Sequence, residues 1–466
     1  MGWDKNAKNY NYHSPNHMKI IKLIVSLVLT LPFIIPGKLT GQTLAGDSII
    51  NNATLDQCIE YALKNQPAVK QALLDEEIGE RDIKSALSGW LPQINGNANF
   101  NHNFKQQVSV FPVNGVPTNV TIGTKNTSLI SVQANQNILN AGLIQASKTA
   151  KYFRQQFKQN TENNRIITVV DVSKAFYDIL TSREQLNITD ENIARLQKQL
   201  KDAYAQYEGG IVDKTDYKRA QISLSNSQAD KKRISELLKY KYAYLKQLIG
   251  YPVTADLNID VDKNRMENEI LLDTTQQLNY QNRVEYRQLT TQRELQRINT
   301  NYNKLAYLPT LSGFINYGEN YLNNNFRNLY DTNFPSSVGG LTLSIPIFQG
   351  TRRTQEIRKA QLQEKRADLD LIQAKNEIYS QTEAAMAAYK ANLNDWKTSR
   401  QNVALSQEVY NTIKVQYDEG IKSYLELMTA ETDLRTTQIN YLNALYSLLS
   451  SKLDVQQALG TITFQQ

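Results

Sequence analysis

The sequence predicts a mixed α and β fold made of two copies of one unit, each with a pair of very long helices and two strands. The first observation is that residues 143–208 and 211–249 contain neither Gly nor Pro. The second is that the same plan returns at 351–419 and 421–459. An unbroken helix over either of the longer runs, 143–208 or 351–419, would be about 100 Å long at ~1.5 Å rise per residue. The third is an alternating pattern ahead of each long run, which is typical of strands.

The N-terminal residues predict an export signal. Lysines precede an apolar segment at 23–35, and small and polar residues around 40–42 offer a cleavage region. A membrane anchor is the alternative, but two prolines interrupt the segment and it is short for a membrane span. Residues 1–42 are therefore assigned to an extension and signal peptide, in which 1–17 read as an extension from an upstream start codon. No Cys near the cleavage region is available for a lipid anchor.

Each unit begins with a shorter helix. In the first unit, Thr54 supplies an N-cap and Asp56 an acidic first turn, while Pro67 predicts a bend. The helices are expected to end on Leu-Pro pairs, at 91–92 and at 308–309, because proline cannot continue a helix.

Alternation follows each of these helices. Between residues 95 and 103, Asn occupies every second position and mostly apolar residues lie between, which predicts a strand with one hydrated and one apolar face. Further strands are expected over 129–139, 311–321 and 341–347. The alternating asparagines are Asn95, Asn97, Asn99, Asn101 and Asn103.

The four strands suit a membrane. Loops rich in Asn, Pro, Thr and Gly are expected at 112–127 and 323–340, which leaves strands long enough to cross a bilayer at a tilt. A small soluble sheet explains the alternation equally well, and the export signal favours the membrane. Four strands cannot close a barrel, and open edges are not tolerated in hydrocarbon. A membrane sheet therefore requires several copies of the chain.

Composition excludes several classes of protein. Cys58 is the one cysteine, so no intramolecular disulfide forms. His102 is the one histidine beyond the N-terminal extension, and this argues against a histidine metal centre. Without the leader the chain has 47 basic and 44 acidic residues. This small excess of positive charge does not indicate a nucleic-acid partner. No phosphate-binding glycine loop, HExxH motif or nucleophile–base set is present, so the sequence predicts no enzyme, no cofactor and no metal site.

The ends of the long runs carry a family resemblance. Residues 207–216 and 417–427 resemble the helix-tip turns of the TolC-like outer-membrane efflux proteins of Gram-negative bacteria, the outer membrane factors. The strand-to-helix junctions at 139–142 and 347–350 are also similar. The resemblance extends over about residues 54–462, and the order and spacing of its motifs in both units make it specific.

The resemblance implies an assembly and a function. The implied fold is a homotrimer in which twelve strands form an outer-membrane β-barrel and the long hairpins form a periplasmic α-barrel. The repeats are 54–249 and 282–460, joined by a connector at 250–281. The implied partners are a periplasmic adaptor, an inner-membrane transporter and outer-membrane lipid. Such a chain is the channel of a tripartite efflux or type I secretion system, and the alternative is an exported structural or adhesive coiled coil without a pore.

The resemblance also implies a periplasmic gate at the helix tips. Asp216 falls at an acidic position of the first tip, and Tyr417 and Lys422 fall at aromatic and basic positions of the second. An Asp216–Lys422 link would hold the tips inward. Glu426 falls at the first of two acidic ring positions and Thr429 at the second, which leaves a single ring to favour cations. Solvated charge at helix ends is the structural alternative.

The turns at the tips are predicted to contact the adaptor. Glycine permits the positive φ of a tight turn, and exposed isoleucine calls for a partner. The predicted contact residues are Gly210, Ile211 and Thr215 on the first tip and Gly420, Ile421 and Ser423 on the second. The asparagines between 95 and 103 are expected to line the barrel lumen, with ordinary solvated surface as the alternative.

Overall fold

The computed structural model describes residues 52–113, 115–260 and 270–463. The export signal expected at 1–42 and residues 261–269 of the expected connector lie outside the described residues.

Two short helices open the first unit. Helix α1 spans Leu55–Asn65 and helix α2 spans Pro67–Leu87. Thr54 caps α1 in a capping box, and Pro67 takes the first turn of α2, where its missing N–H costs nothing. The predicted bend is confirmed. A 3-10 turn at Ser88–Trp90 follows α2, so the helix stops slightly before the predicted Leu-Pro boundary.

All four breaker-free runs are helical, as predicted. The other helices in the described part of the chain are α3 (Ala141–Glu208), α4 (Lys214–Ile249), α5 (Val284–Leu305), α6 (Arg352–Asp418) and α7 (Tyr424–Leu459). Helices α3 and α6 contain 68 and 67 residues. At ~1.5 Å rise per residue each is roughly 100 Å long.

Each long helix packs against shorter helices along its length. Helix α3 packs against α2 near its start and α4 towards its end, while α6 packs in the same way against α5 and α7. Contacts of α3 with α5 and α7 join the two units. The largest apolar core contains Cys58 of α1, Ile179 of α3, Tyr389 of α6 and Leu448 of α7.

Four strands form one antiparallel sheet in the order β1-β4-β5-β6, and two further strands, β2 and β3, form a separate hairpin. The strands are β1 (Gln93–His102), β2 (Gln107–Val113), β3 (Val116–Ile122), β4 (Asn126–Leu139), β5 (Thr310–Asn323) and β6 (Asn333–Ser344). The sheet strands contain between 10 and 14 residues, so the predicted lengths are confirmed.

The loop predicted at 112–127 is wrong. Residues Gln107–Val113 pair with Val116–Ile122, and β4 already begins at Asn126. Asn and Pro indicated a loop, but the valines between them favour a strand, and Gly115 turns the chain with φ +81°.

The loop predicted at 323–340 is also too long, because β6 begins at Asn333. Gly340 lies inside β6, where an added Cβ would come within 3.1 Å of the Phe314 ring. The glycine therefore makes room for an aromatic neighbour and does not break the strand. The strand ends at Ser344, so the expected extension to residue 347 is wrong.

Candidate functional site

The two helix tips share one backbone design. At the first tip the Ile211 N–H donates to the Gln206 carbonyl at 2.9 Å, and the Gly210 N–H donates to the Tyr207 carbonyl at 3.0 Å. The equivalent bonds of the second tip measure 2.8 and 2.9 Å, so both helices end in a Schellman motif. Gly210 and Gly420 have φ of +73° and +74°, which confirms the positive φ expected there.

Each tip then starts the returning helix with a capping side chain. Asp213 Oδ1 accepts the Thr215 N–H at 2.7 Å and the Thr215 hydroxyl at 2.8 Å, and these bonds lower the pKa of Asp213. Ser423 caps α7 in a capping box with Glu426. Thr215 and Ser423, which the resemblance assigns to adaptor contact, therefore also stabilise the turns.

Lys422 and Glu426 form an ion pair within the second tip. The Lys422 Nζ lies 2.7 Å from Glu426 Oε1, and Glu426 Oε2 accepts the Ser423 N–H and hydroxyl at 3.0 Å each. The bond from Lys422, followed by those from Ser423, lowers the pKa of Glu426 to about 2. In the described part of this single chain Lys422 pairs with Glu426 instead of Asp216, because Glu426 lies one helical turn away. The Asp216–Lys422 link stays a prediction.

Tyr417 is half-buried beside the first hairpin. Burial raises the pKa of Tyr417 most, the charge of Asp216 raises it further, and a hydrogen bond with the Gln206 side chain lowers it. The Tyr424 ring lies 6.1 Å from the Tyr417 ring. The buried Tyr424 hydroxyl has no hydrogen-bond partner among the described residues, and burial raises its pKa. Of the four predicted gate residues, Lys422 and Glu426 form an ion pair, and the Asp216 carboxylate acts on Tyr417 through its charge.

A buried carboxylate that the sequence analysis missed joins the hairpins near the second tip. Glu431 is 4% exposed, and its Oε1 accepts a bond from Arg195 Nε at 3.0 Å. Its Oε2 accepts a bond from Gln199 Nε2 at 2.7 Å. The Arg195 guanidinium lies over the Tyr410 ring at 6.0 Å, so side chains of α3, α6 and α7 meet at this point.

A sequence signal for Glu431 did exist. Leu427 and Leu434 lie four residues before and three residues after it, and both are buried. At helical spacing these three residues share one face, so the carboxylate interrupts an apolar stripe. A charge in such a stripe predicts a buried pair, but its partner on a distant helix cannot be read from the sequence.

The first tip carries an aromatic cluster that the sequence analysis also missed. The Tyr217 ring lies 5.6 Å from the Tyr204 ring and 5.0 Å from the Tyr207 ring. Next to this cluster, Ile211 is 76% exposed, and Ile421 of the second tip is 71% exposed. The tips therefore present apolar and aromatic surface together.

The sheet has two chemically different faces. In the antiparallel register Asn95 lies opposite Gln133, which in turn lies opposite Asn316, and directly paired residues share a face. The polar residues of this face are Asn95, Asn97, Asn99, Asn101, Ser131, Gln133, Asn135, Asn316 and Asn320, and the apolar residues Leu129, Phe314, Leu322, Phe334 and Val338 lie among them. Asn103 follows β1 and its amide donates to the Thr124 carbonyl at 3.0 Å, so its placement in the strand is wrong.

The opposite face is apolar and exposed. Its apolar residues include Ile94, Ile130, Val132, Ile315, Leu341 and Leu343, each at least 41% exposed. The Glu319 carboxylate also lies on this face, together with polar residues such as Ser128, Gln136 and Ser337. The Tyr317 and Tyr321 hydroxyls donate to this carboxylate at 2.9 and 2.8 Å. These bonds account for a carboxylate that is only 8% exposed.

Among the described residues, no helix has a segment that is long and apolar enough to cross a membrane. The same residues contain no group of three or more His, Cys, Asp or Glu side chains arranged to hold a metal ion.

Comparison with known proteins identifies the family. The sequence profile of a family described as "Outer membrane efflux protein" matches residues 58–251 and 274–461. The chain belongs to this family. The efflux protein is 23% identical over 443 residues to the outer membrane protein TolC of Salmonella enteritidis, a match that covers 92% of this chain and 86% of the relative.

Solved structures show the same fold. The efflux protein matches CusC with a TM-score of 0.71 at 17% identity, over 88% of this chain and 95% of CusC. It matches VceC of Vibrio cholerae with a TM-score of 0.70 at 14% identity, over 87% of this chain and 96% of VceC. The predicted fold class is confirmed, and the chain is an efflux protein of the Gram-negative outer membrane.

Proposed function

We propose that three copies of this efflux protein form one duct through the outer membrane and the periplasm. Twelve strands close a β-barrel, and the long hairpins form an α-barrel below it. A periplasmic adaptor docks at the helix tips and connects the duct to an inner-membrane transporter, as part of a tripartite efflux or type I secretion system. The observation that carries the proposal is a four-stranded sheet with two unpaired edges and two unlike faces.

The unpaired edges of the sheet are the reason to expect more than one copy of the chain in the barrel. Among the described residues, strands β1 and β6 each pair with one other strand, and unpaired backbone groups are costly in hydrocarbon. Successive strands of the sheet alternate in direction, so β1 and β6 run oppositely. The β6 strand of one copy can therefore pair antiparallel with the β1 strand of the next, and three copies supply twelve strands.

The two faces of the sheet suit such a barrel. The polar face with Asn95, Asn97, Asn99 and Asn101 is suited to a water-filled lumen, and the opposite face with its exposed isoleucines and leucines is suited to lipid. A structural or adhesive coiled coil does not require such a sheet, so the function as a duct is better supported.

Helix α6 also supports assembly. It carries large apolar residues that are each more than half exposed in the single chain, a pattern that marks a protein interface. These residues are Leu362, Leu369, Ile372, Tyr379, Leu405, Val409 and Val415. Packing of neighbouring copies along α6 would cover them and build the wall of a duct about as long as the helix.

The proposed assembly is tested by electrophoresis and by electrical recording. The protein purified from outer membranes should run as a trimer that heating dissociates, and it should open channels in planar lipid bilayers. A soluble monomer without conductance would overturn the proposal.

The gate is a proposal within this function. Asp216, Tyr417, Lys422 and Glu426 narrow the duct at the tips, through the Lys422–Glu426 ion pair and through a link between Asp216 and Lys422 that forms in the assembled channel. Asp216→Ala should raise single-channel conductance because it removes the carboxylate that the proposed Asp216–Lys422 link requires. Glu419→Ala, which removes an exposed tip carboxylate outside this set, is the control. Equal conductance of the two variants would contradict the gate.

Adaptor docking is tested at the isoleucines. Ile211 and Ile421 are exposed in turns that need no apolar side chain for their own hydrogen bonds. Replacing both with Ser should weaken adaptor binding and leave trimer formation and conductance unchanged. If the double variant binds the cognate adaptor as well as the wild-type protein in a pull-down, Ile211 and Ile421 are not part of the adaptor contact.

A further inference from the structure

The β2–β3 hairpin exposes an apolar surface that neither the fold nor the proposed gate explains. Residues Gln107–Ile122 include no charged side chain. The exposed apolar residues of the hairpin are Val108, Val110, Phe111, Val116, Val120 and Ile122, at 38–64% exposure. Exposed apolar surface of this kind marks an interaction site.

The hairpin also has unpaired edges. Strands β2 and β3 pair with each other and remain separate from the four-stranded sheet. An isolated two-stranded hairpin is marginally stable in water, and its outer N–H and C=O groups are open to further pairing. The hairpin therefore gains stability from docking against another surface.

The side chains on the hairpin favour a second copy of itself. Phe111 lies opposite Thr118 on one face, and Val110 lies opposite Asn119 on the other. Both faces thus mix apolar groups with neutral hydrogen-bonding groups. Such a surface lacks the continuous apolar face that lipid needs and lacks the basic residues that bind anionic headgroups. It is complementary to another surface of the same composition.

The position of the hairpin places it next to the interface between copies. It follows β1 after His102 and precedes β4 at Asn126, whereas the other ends of β1 and β4 lead to α2 and α3. It therefore lies at the end of the sheet far from the long helices. Strand β1 is an edge of the sheet, and this edge would pair with the neighbouring copy in the proposed trimer.

The dimensions allow the hairpins to meet. Twelve strands ~4.8 Å apart and tilted by ~40° form a barrel of roughly 12 Å radius. A seven-residue strand at ~3.3 Å per residue extends the hairpin by roughly 23 Å. A hairpin that leans inward from the rim is long enough to reach the axis.

We propose that the three β2–β3 hairpins of a trimer fold over the outer opening and pack against one another at its axis, forming an uncharged plug. The inference rests on the proposed trimeric channel. It gives the duct a constriction at the outer end, separate from the tips.

A cysteine near the hairpin turn tests this contact. Val116 lies beside the turn and is 64% exposed, so Val116→Cys should form disulfide-linked dimers under mild oxidation. The native Cys58 has no exposed surface and does not interfere. Arg327→Cys, in the loop between β5 and β6, is the control. In a threefold barrel of ~12 Å radius, equivalent residues at the rim of neighbouring copies are roughly 21 Å apart. This distance is too long for a disulfide.

Replacing Gln107–Ile122 with a short Gly-Ser turn tests the plug by a second route. The conductance of this variant should rise at least twofold, and trimer formation should be retained. Cross-linking of Val116→Cys but not Arg327→Cys would support the plug. Absence of the Val116→Cys cross-link together with unchanged conductance of the shortened variant would overturn it, while the channel function would stand if wild-type trimers conduct. Failure of the wild-type protein to form conducting trimers would overturn both.

Discussion

Glu431 is a carboxylate whose burial is compensated by two partners on another helix. Removing a charge from water is costly unless the charge is paired and hydrogen-bonded, and here Arg195 and Gln199 occupy both carboxylate oxygens. The pair therefore fixes how α7 lies against α3. The cost of burying these charges offsets much of their attraction, so the pair by itself adds little net stability.

Glu431→Ala should destabilise the protein by about 1–3 kcal/mol, because Arg195 and Gln199 lose the acceptor they share. The measurement is chemical unfolding followed by circular dichroism in detergent. Asp433→Ala is the matched control, since Asp433 is an exposed carboxylate of the same helix. Equal midpoints for the two variants would contradict the role assigned to Glu431.

Glu426 gives the second tip a defined response to pH. Its pKa is about 2 in the folded chain, below the ordinary value of 4.5. The stability that its bonds contribute is therefore fully present above pH 4.5 and is lost as the pH falls from 4.5 towards 2.

The Lys422–Glu426 pair should accordingly stay intact between pH 5 and pH 8, and NMR titration of the Glu426 carboxyl carbon checks this. Lys422→Gln should raise the pKa of Glu426, because the bond from Lys422 is the largest cause of its low value. A titration midpoint of Glu426 that is the same in both proteins would contradict the pairing.

The helix tips depend on backbone conformation at the scale of the element. Gly210 has φ +73°, whereas the preceding Gly209 is right-handed with φ −73°. An added Cβ meets nothing within 4 Å at Gly210, so only backbone strain opposes a substitution there.

Gly210→Ala should therefore destabilise the tip by about 1–2 kcal/mol through the left-handed backbone. Gly209→Ala should be neutral, since its backbone is already helical. Hydrogen exchange of the amides around the first tip provides the measurement. Faster exchange in both variants, or in neither, would contradict this account.

The elements that the sequence predicts well are those with a local physical signal. The long helices follow from the absence of breakers, and the polar face of β1 follows from its alternating asparagines. The β2–β3 hairpin was missed because Asn and Pro indicated a loop in a segment whose valines pair across a turn. Partners that lie on distant helices, such as Arg195 for Glu431, depend on packing and have no local signal.

At the scale of the whole molecule, the exposed apolar residues of α6 form the proposed interface between copies. Leu369→Lys places a charge where a neighbouring copy is expected to pack and should reduce the trimer fraction at least severalfold. Gln363→Lys adds the same charge at an exposed polar position of the same helix and should leave the trimer intact. Size-exclusion chromatography with light scattering distinguishes the outcomes, and equal trimer fractions would place the interface elsewhere.

The position of Glu431 along α7 has a mechanical consequence. Helix α7 begins at Tyr424, so only two turns, roughly 10 Å at ~1.5 Å per residue, separate the buried pair from the start of the helix. Tyr424 and Leu427, which lie in these two turns, are buried as well. The start of α7 is therefore packed against its neighbours together with the Glu431 pair. If the proposed gate opens, this whole segment has to move as one piece.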